Sequence, residues 1–103
     1  MITKYVDFSG VFSVKINNNT LYFNLRYNEN EFPIKIFLYL NDKKYQELSI
    51  ILPKSEELDK QEFFLNPDVN KKIIDVLINE NFIEISNNKS VAGDQKTISY
   101  KLI

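Results

Sequence analysis

Between residues 11 and 52 the apolar side chains fall on alternate positions, and this period of two constrains the fold more than any other feature. A helix would scatter such residues around its circumference, whereas a strand lines them on one face. Phe12, Val14 and Ile16 form the first set, and Asn17-Asn18-Asn19-Thr20 supplies a turn. Leu21, Phe23, Leu25 and Tyr27 form the second. Pairing Ile16 with Leu21, Val14 with Phe23 and Phe12 with Leu25 keeps both sets on one side of a hairpin. After the polar turn Asn28-Glu29-Asn30-Glu31 comes a third set, Ile34, Ile36, Leu38 and Leu40, with Tyr27 aligned to Ile34. Residues 45–52 read as a fourth strand. Matching its Leu48 and Ile50 to Ile36 and Ile34 requires a loop of odd length, so Asn41-Asp42-Lys43 is expected to be a three-residue loop with a bulge.

Pro53 stops this strand because it lacks the amide hydrogen that a ladder uses. A short apolar run, Phe63-Phe64-Leu65, follows, and then the period changes. Asn66-Pro67-Asp68 has the chemistry of a helix start: Asn accepts from a free amide, Pro suits the first turn, and Asp favours the positive end of the dipole. The spacing of Val69, Ile73, Val76 and Leu77 predicts a helix over 67–80, about 20 Å long. Asn79 or Asn81 ends it in a left-handed conformation. Residues 82–85 and 97–102 read as two further strands around a loop containing Gly93, whose role is a turn. The expected class is α+β: one domain over 1–103, an antiparallel meander of four to six strands with one principal helix on one face.

Composition removes many functions. The 103 residues include no Cys, His or Trp, which excludes disulfides, thiolate nucleophiles, Ser-His-Asp triads and the usual zinc sites. No catalytic residues, metal or cofactor are assigned, and the chain reads as a non-enzyme. A net charge of −1 gives little attraction to DNA or to anionic lipid. The N-terminus lacks the apolar segment of a secretion signal, and no run reaches the length of a membrane span, so a cytoplasmic location is expected. Thirteen Asn, thirteen Ile and twelve Lys reflect A/T-rich codons and suit a low-GC bacterial genome or its phages and plasmids.

Two surfaces remain as candidates. The first is SEELDKQEFF (55–64), where Glu56, Glu57, Asp59 and Glu62 crowd into seven positions. Calcium loops alternate oxygen ligands around a glycine, and paired catalytic carboxylates usually face each other across a cleft, so neither chemistry fits this spacing. Contact with a basic protein surface does fit, as does a plain capped turn with Ser55 ahead of the acids and Leu58 tucked inward. The second is the opposite sheet face, where Tyr22, Phe37, Tyr39 and Ile51 stand near Arg26 and Lys35. Such a face stacks unpaired bases, or else is buried under the N-terminal Ile2, Tyr5, Val6 and Phe8 or under a partner. The acidic balance and the lack of an aromatic-glycine RNA-binding motif disfavour nucleic acid. Lys43-Lys44 and Lys71-Lys72 read as solvated pairs.

The segment YQELSIILP (45–53), then Glu57-Leu58, EFFL (62–65), Asn70 with the helix through Leu77, and Val91-Ala92-Gly93 before the last strand together resemble a family of small proteins of unknown function. Phages and conjugative elements of low-GC bacteria carry this family; the chain differs in lacking several of its glycines. The resemblance implies an accessory role in a mobile element: stoichiometric inhibition of a host defence nuclease, such as a CRISPR effector, as anti-CRISPR proteins do. It assigns no binding residues. A homodimer joined through a strand edge and a single-strand nucleic-acid binder are the alternatives.

Overall fold

The computed structural model describes residues 6–28 and 30–103. Among them are eight antiparallel strands and one α-helix, so the class is α+β. The single meander is corrected to two sheets. Strands β1 (Val6–Ile16), β2 (Asn19–Tyr27), β3 (Ile36–Leu40) and β4 (Lys43–Glu47) lie in that order in the first. The second contains β5 (Ser49–Ile50), β6 (Glu62–Leu65), β7 (Ile83–Ala92) and β8 (Gln95–Leu102), in the order β5-β6-β8-β7.

Turn chemistry moves the register of the first sheet. Asn17 and Asn18 both have positive φ, 50° and 67°, as the two central residues of a type I′ turn require. The loop therefore has two residues instead of the four expected, and Val14 pairs with Leu21 and Phe12 with Phe23. On the next pair Tyr27 faces Ile36 and not Ile34. Each slip is by two residues, which preserves the faces, so the apolar sets still point into the core.

The odd residue needed before β5 is present, but in another place. Asn41 and Asp42 form a second two-residue turn with positive φ, and the pairs Leu40–Lys43 and Tyr39–Lys44 give way to Leu38–Gln46 and Phe37–Glu47. Tyr45 is the extra residue, a bulge within the strand. Its ring lies edge-on to Phe23, centroids 5.1 Å apart. Leu48 thereby comes level with Ile36, donating its N–H to the Ile36 carbonyl at 2.8 Å.

At Leu48 the chain leaves the first sheet for the second. The Ser49 hydroxyl accepts the Ile36 N–H at 2.9 Å, and the Leu48 carbonyl accepts from Asn66 N at 2.8 Å. Ile50 pairs with Phe64 in place of the expected Ile34. The two sheets thus share a corner at β4/β5, and their cluster of buried residues includes Phe12, Phe23, Leu25, Ile36, Leu38 and Leu48.

The helix α1 (Lys71–Asn79) is shorter than the predicted 67–80. Asn66 uses its side chain on Asp68 N, at 3.1 Å, to make a local turn, and the cap is Asn70, whose Oδ1 accepts from Lys72 N at 2.9 Å. Val69, Ile73 and Leu77 are buried as their spacing requires, and α1 lies against β1 and β7. At its end Phe82 N donates to Leu77 O and Asn81 N to Ile78 O, a Schellman motif with Asn81 at φ +62°. Asn81→Ala is expected to lower stability by about 1 kcal/mol, with Asn81→Gly tolerated, because only the former puts a Cβ without a compensating polar group in the left-handed region; urea denaturation measures both.

The last hairpin extends beyond the strands predicted at 82–85 and 97–102, with Gly93 at φ +62° in its two-residue turn. Ile2 and Tyr5, expected to cover the outer face of the first sheet, lie outside the described residues, as do the side chains of Val6 and Phe8.

Candidate protein-binding site

The acidic stretch begins with a single 3-10 turn, Pro53–Glu57. Ser55 is buried there, and its hydroxyl reaches back to accept the Leu52 N–H at 2.8 Å, closing the turn from inside. Leu58 is also buried, although it stands apart from the main cluster. Between these anchors Glu56 and Glu57 are exposed, and Asp59 is exposed just beyond.

Glu62 departs from the expectation of a fourth exposed acid: it is 4% exposed. The cause is strand alternation. β6 sends Phe63 to the main core, so Glu62 and Phe64 point to the other face of the sheet. A bulge in β7 then delivers its partners. Between the pairs Ile85–Tyr100 and Lys89–Ile98, the residues Ser86, Asn87 and Asn88 stand opposite Ser99 alone, with Asn87 at φ +76°. Glu62 Oε2 accepts from the Ser86 hydroxyl, from Asn88 Nδ2 at 2.6 Å and from the Ser99 hydroxyl at 3.0 Å, while Oε1 accepts from Asp59 N at 3.0 Å.

Burial raises the pKa of such a carboxyl, but the bonds from Ser86, Asp59, Ser99 and Asn88 together outweigh it and hold Glu62 below the ordinary carboxylate range. The side chain is therefore ionised at neutral pH without an ion-pair partner among the described residues. Chemically it is an acceptor that ties the base of the acidic loop to β7 and β8. Period-two reading of EFFL with Phe64 inside already places Glu62 on a buried face; the partners on β7 and β8 leave no local signal.

The second candidate surface assembles in part. Register sets Arg26 against Phe37 and Asn24 against Tyr39, so Tyr22, Arg26, Phe37 and Tyr39 share one face of the first sheet. Lys35 precedes β3 and pairs with Glu31 at 3.8 Å, while Ile51 lies just past the end of β5, a strand of the other sheet. The rings are occupied. The Arg26 guanidinium lies 4.1 Å over Tyr39 and bonds Asp42 at 3.1 Å, and Lys44 Nζ lies 4.0 Å over Phe37, which is 6% exposed. Base stacking needs free ring faces, and on this surface Tyr22, at 60% exposure, is the open aromatic among those four.

Among the described residues, no helix is long and apolar enough to cross a membrane. No family model, curated protein or solved structure matches the chain.

Proposed function

We propose that this chain is a non-enzymatic binding protein that presents Glu56, Glu57 and Asp59 to a basic surface on another protein. The observation that carries the reading is their mounting. Three exposed carboxylates are displayed by a segment pinned from beneath at Ser55, Leu58 and Glu62, so little ordering entropy is lost when a partner binds. Acidic groups held in place favour a cationic partner through both encounter rate and register.

The resemblance of segments between residues 45 and 93 to proteins of phages and conjugative elements directs the choice of partner to a bacterial defence nuclease. RNA-guided nucleases carry positively charged channels for nucleic acid, which local carboxylates can enter. With a net charge of −1, the mimicry is confined to this loop and does not extend over the molecule. The site of action is the cytoplasm of the bacterial host.

The test is direct. Added to a purified, guide-loaded effector nuclease from such a host, the protein is expected to lower cleavage and to co-elute with the effector by size exclusion. The triple variant E56A/E57A/D59A is expected to lose both effects while its unfolding free energy stays within about 0.5 kcal/mol of wild type, because exposed charges contribute little to folding. Failure to bind any defence nuclease encoded by the same host removes the reading. Inhibition unchanged in the triple variant moves the contact to another surface.

A further inference from the structure

We infer that the 3-10 turn and the β7–β8 hairpin form one self-complementary face that docks onto a second copy of the chain, Glu56 and Glu57 of each copy meeting Lys89 and Lys96 of the other. Between Pro53-Lys54 and the hairpin lies a groove of about 670 Å³. Pro53, Val91 and Ile98 give it apolar walls, and Val91 is 56% exposed. Lys54, Lys89 and Lys96 also line it; all three are exposed, and none has an ion-pair partner among the described residues.

The complementary charge lies beside the groove on the same surface. Glu56 and Glu57 follow Lys54 within about one 3-10 turn and are likewise exposed without an ion-pair partner among the described residues. An unneutralised cationic groove adjoining unneutralised acids is what a twofold axis uses, since in an isologous contact residue i meets j and j meets i. Apolar walls add the desolvated centre that such a contact needs.

The contact is between faces and not between strand edges. β7 is the edge of its sheet among the described residues, but the bulge at 86–88 and Lys89 blunt it against pairing with another strand. Glu56 and Glu57 are also the acids assigned above to a nuclease, so the two contacts exclude each other. The second copy is nevertheless inferred from the groove and its lysines, independently of that reading, and its test reads mass and not cleavage.

Sedimentation equilibrium provides that test. Wild-type mass is expected to rise with concentration from 12.2 kDa toward twice that value, and added salt is expected to weaken the association. E56K/E57K and K89E/K96E, each measured alone, are expected to associate at least about tenfold more weakly, since each places like charges across the axis. An equimolar mixture of the two restores every opposite-charge contact and is expected to form the heterodimer. The fourfold variant E56K/E57K/K89E/K96E is expected to associate as wild type does, which separates a charge effect from a folding defect. Wild type that stays monomeric at every concentration overturns the inference, including when it binds poly-glutamate. So does either double variant that dimerises like wild type, or a mixture that stays monomeric.

Discussion

Glu62→Ala is expected to lower the unfolding free energy by about 3 kcal/mol, because it leaves hydrogen-bond donors from three elements without their acceptor. Ser99 is fully buried, and its hydroxyl donates to Glu62 while accepting from Asn88 N at 2.9 Å. Losing the carboxylate therefore disturbs both the β7 bulge and the turn at Asp59. For a chain of this size the change corresponds to a fall in Tm of roughly 12–24 °C. Glu62→Gln keeps the shape and one acceptor oxygen, and is expected to cost less. Thermal and urea unfolding measure both variants; a Glu62→Ala variant as stable as wild type would contradict the structural role of this carboxylate.

The same side chain sets a pH dependence whose sign follows from its lowered pKa. Above the ordinary glutamate pKa both folded and unfolded chains are ionised at this position, and the stabilisation is fully present. As pH falls below that value the unfolded chain takes up the proton first, so stability declines and is lost as pH passes through the folded pKa. Wild type is expected to lose stability in this acid window, and Glu62→Gln is expected to remove Glu62's share of the slope. Parallel slopes in the two proteins would place the acid sensitivity elsewhere.

Leu48→Ala is the other large expected effect, about 3 kcal/mol, within the range for emptying a well-packed leucine site. Leu48 is fully buried at the residue where the chain passes between sheets, and its backbone bonds both Ile36 and Asn66. The cavity therefore opens at the shared corner. Urea unfolding is expected to remain a single transition at a lower midpoint, because one core spans both sheets; two separated transitions would show that the sheets unfold independently. Ile51→Ala, three residues on and 47% exposed, is expected to change stability by no more than about 0.5 kcal/mol.

Strand positions 11–16, 21–27 and 36–40 and the apolar stripe of α1 were legible because their periods are local properties of the chain. Parity was legible as well. The need for one odd residue before Leu48 follows from which faces must be buried, and a bulge supplies it. Its location was not legible: both a three-residue loop and Tyr45 within the strand satisfy the same parity, and the positive φ values of Asn41 and Asp42 decide for the shorter turn. The helix start shows a similar competition. Asn66 and Asn70 are both capping residues by type, and the Asn66 side chain is taken by Asp68 N.

By itself, then, the sequence determined the alternating strands, the amphipathic helix, the antiparallel α+β class and the inward position of Leu58, all set by short-range periodicity and turn chemistry. Tertiary structure alone decided that the strands divide between two sheets at Leu48, that cations cover Phe37 and Tyr39, and that Lys54 meets Lys89 and Lys96 around one groove. It also separated the four acids of SEELDKQEFF, leaving Glu56, Glu57 and Asp59 in solvent and taking Glu62 inside. A carboxylate is exposed or buried according to whether donors wait for it, and those for Glu62 come from Ser86, Asn88 and Ser99, 24 to 37 residues away along the chain.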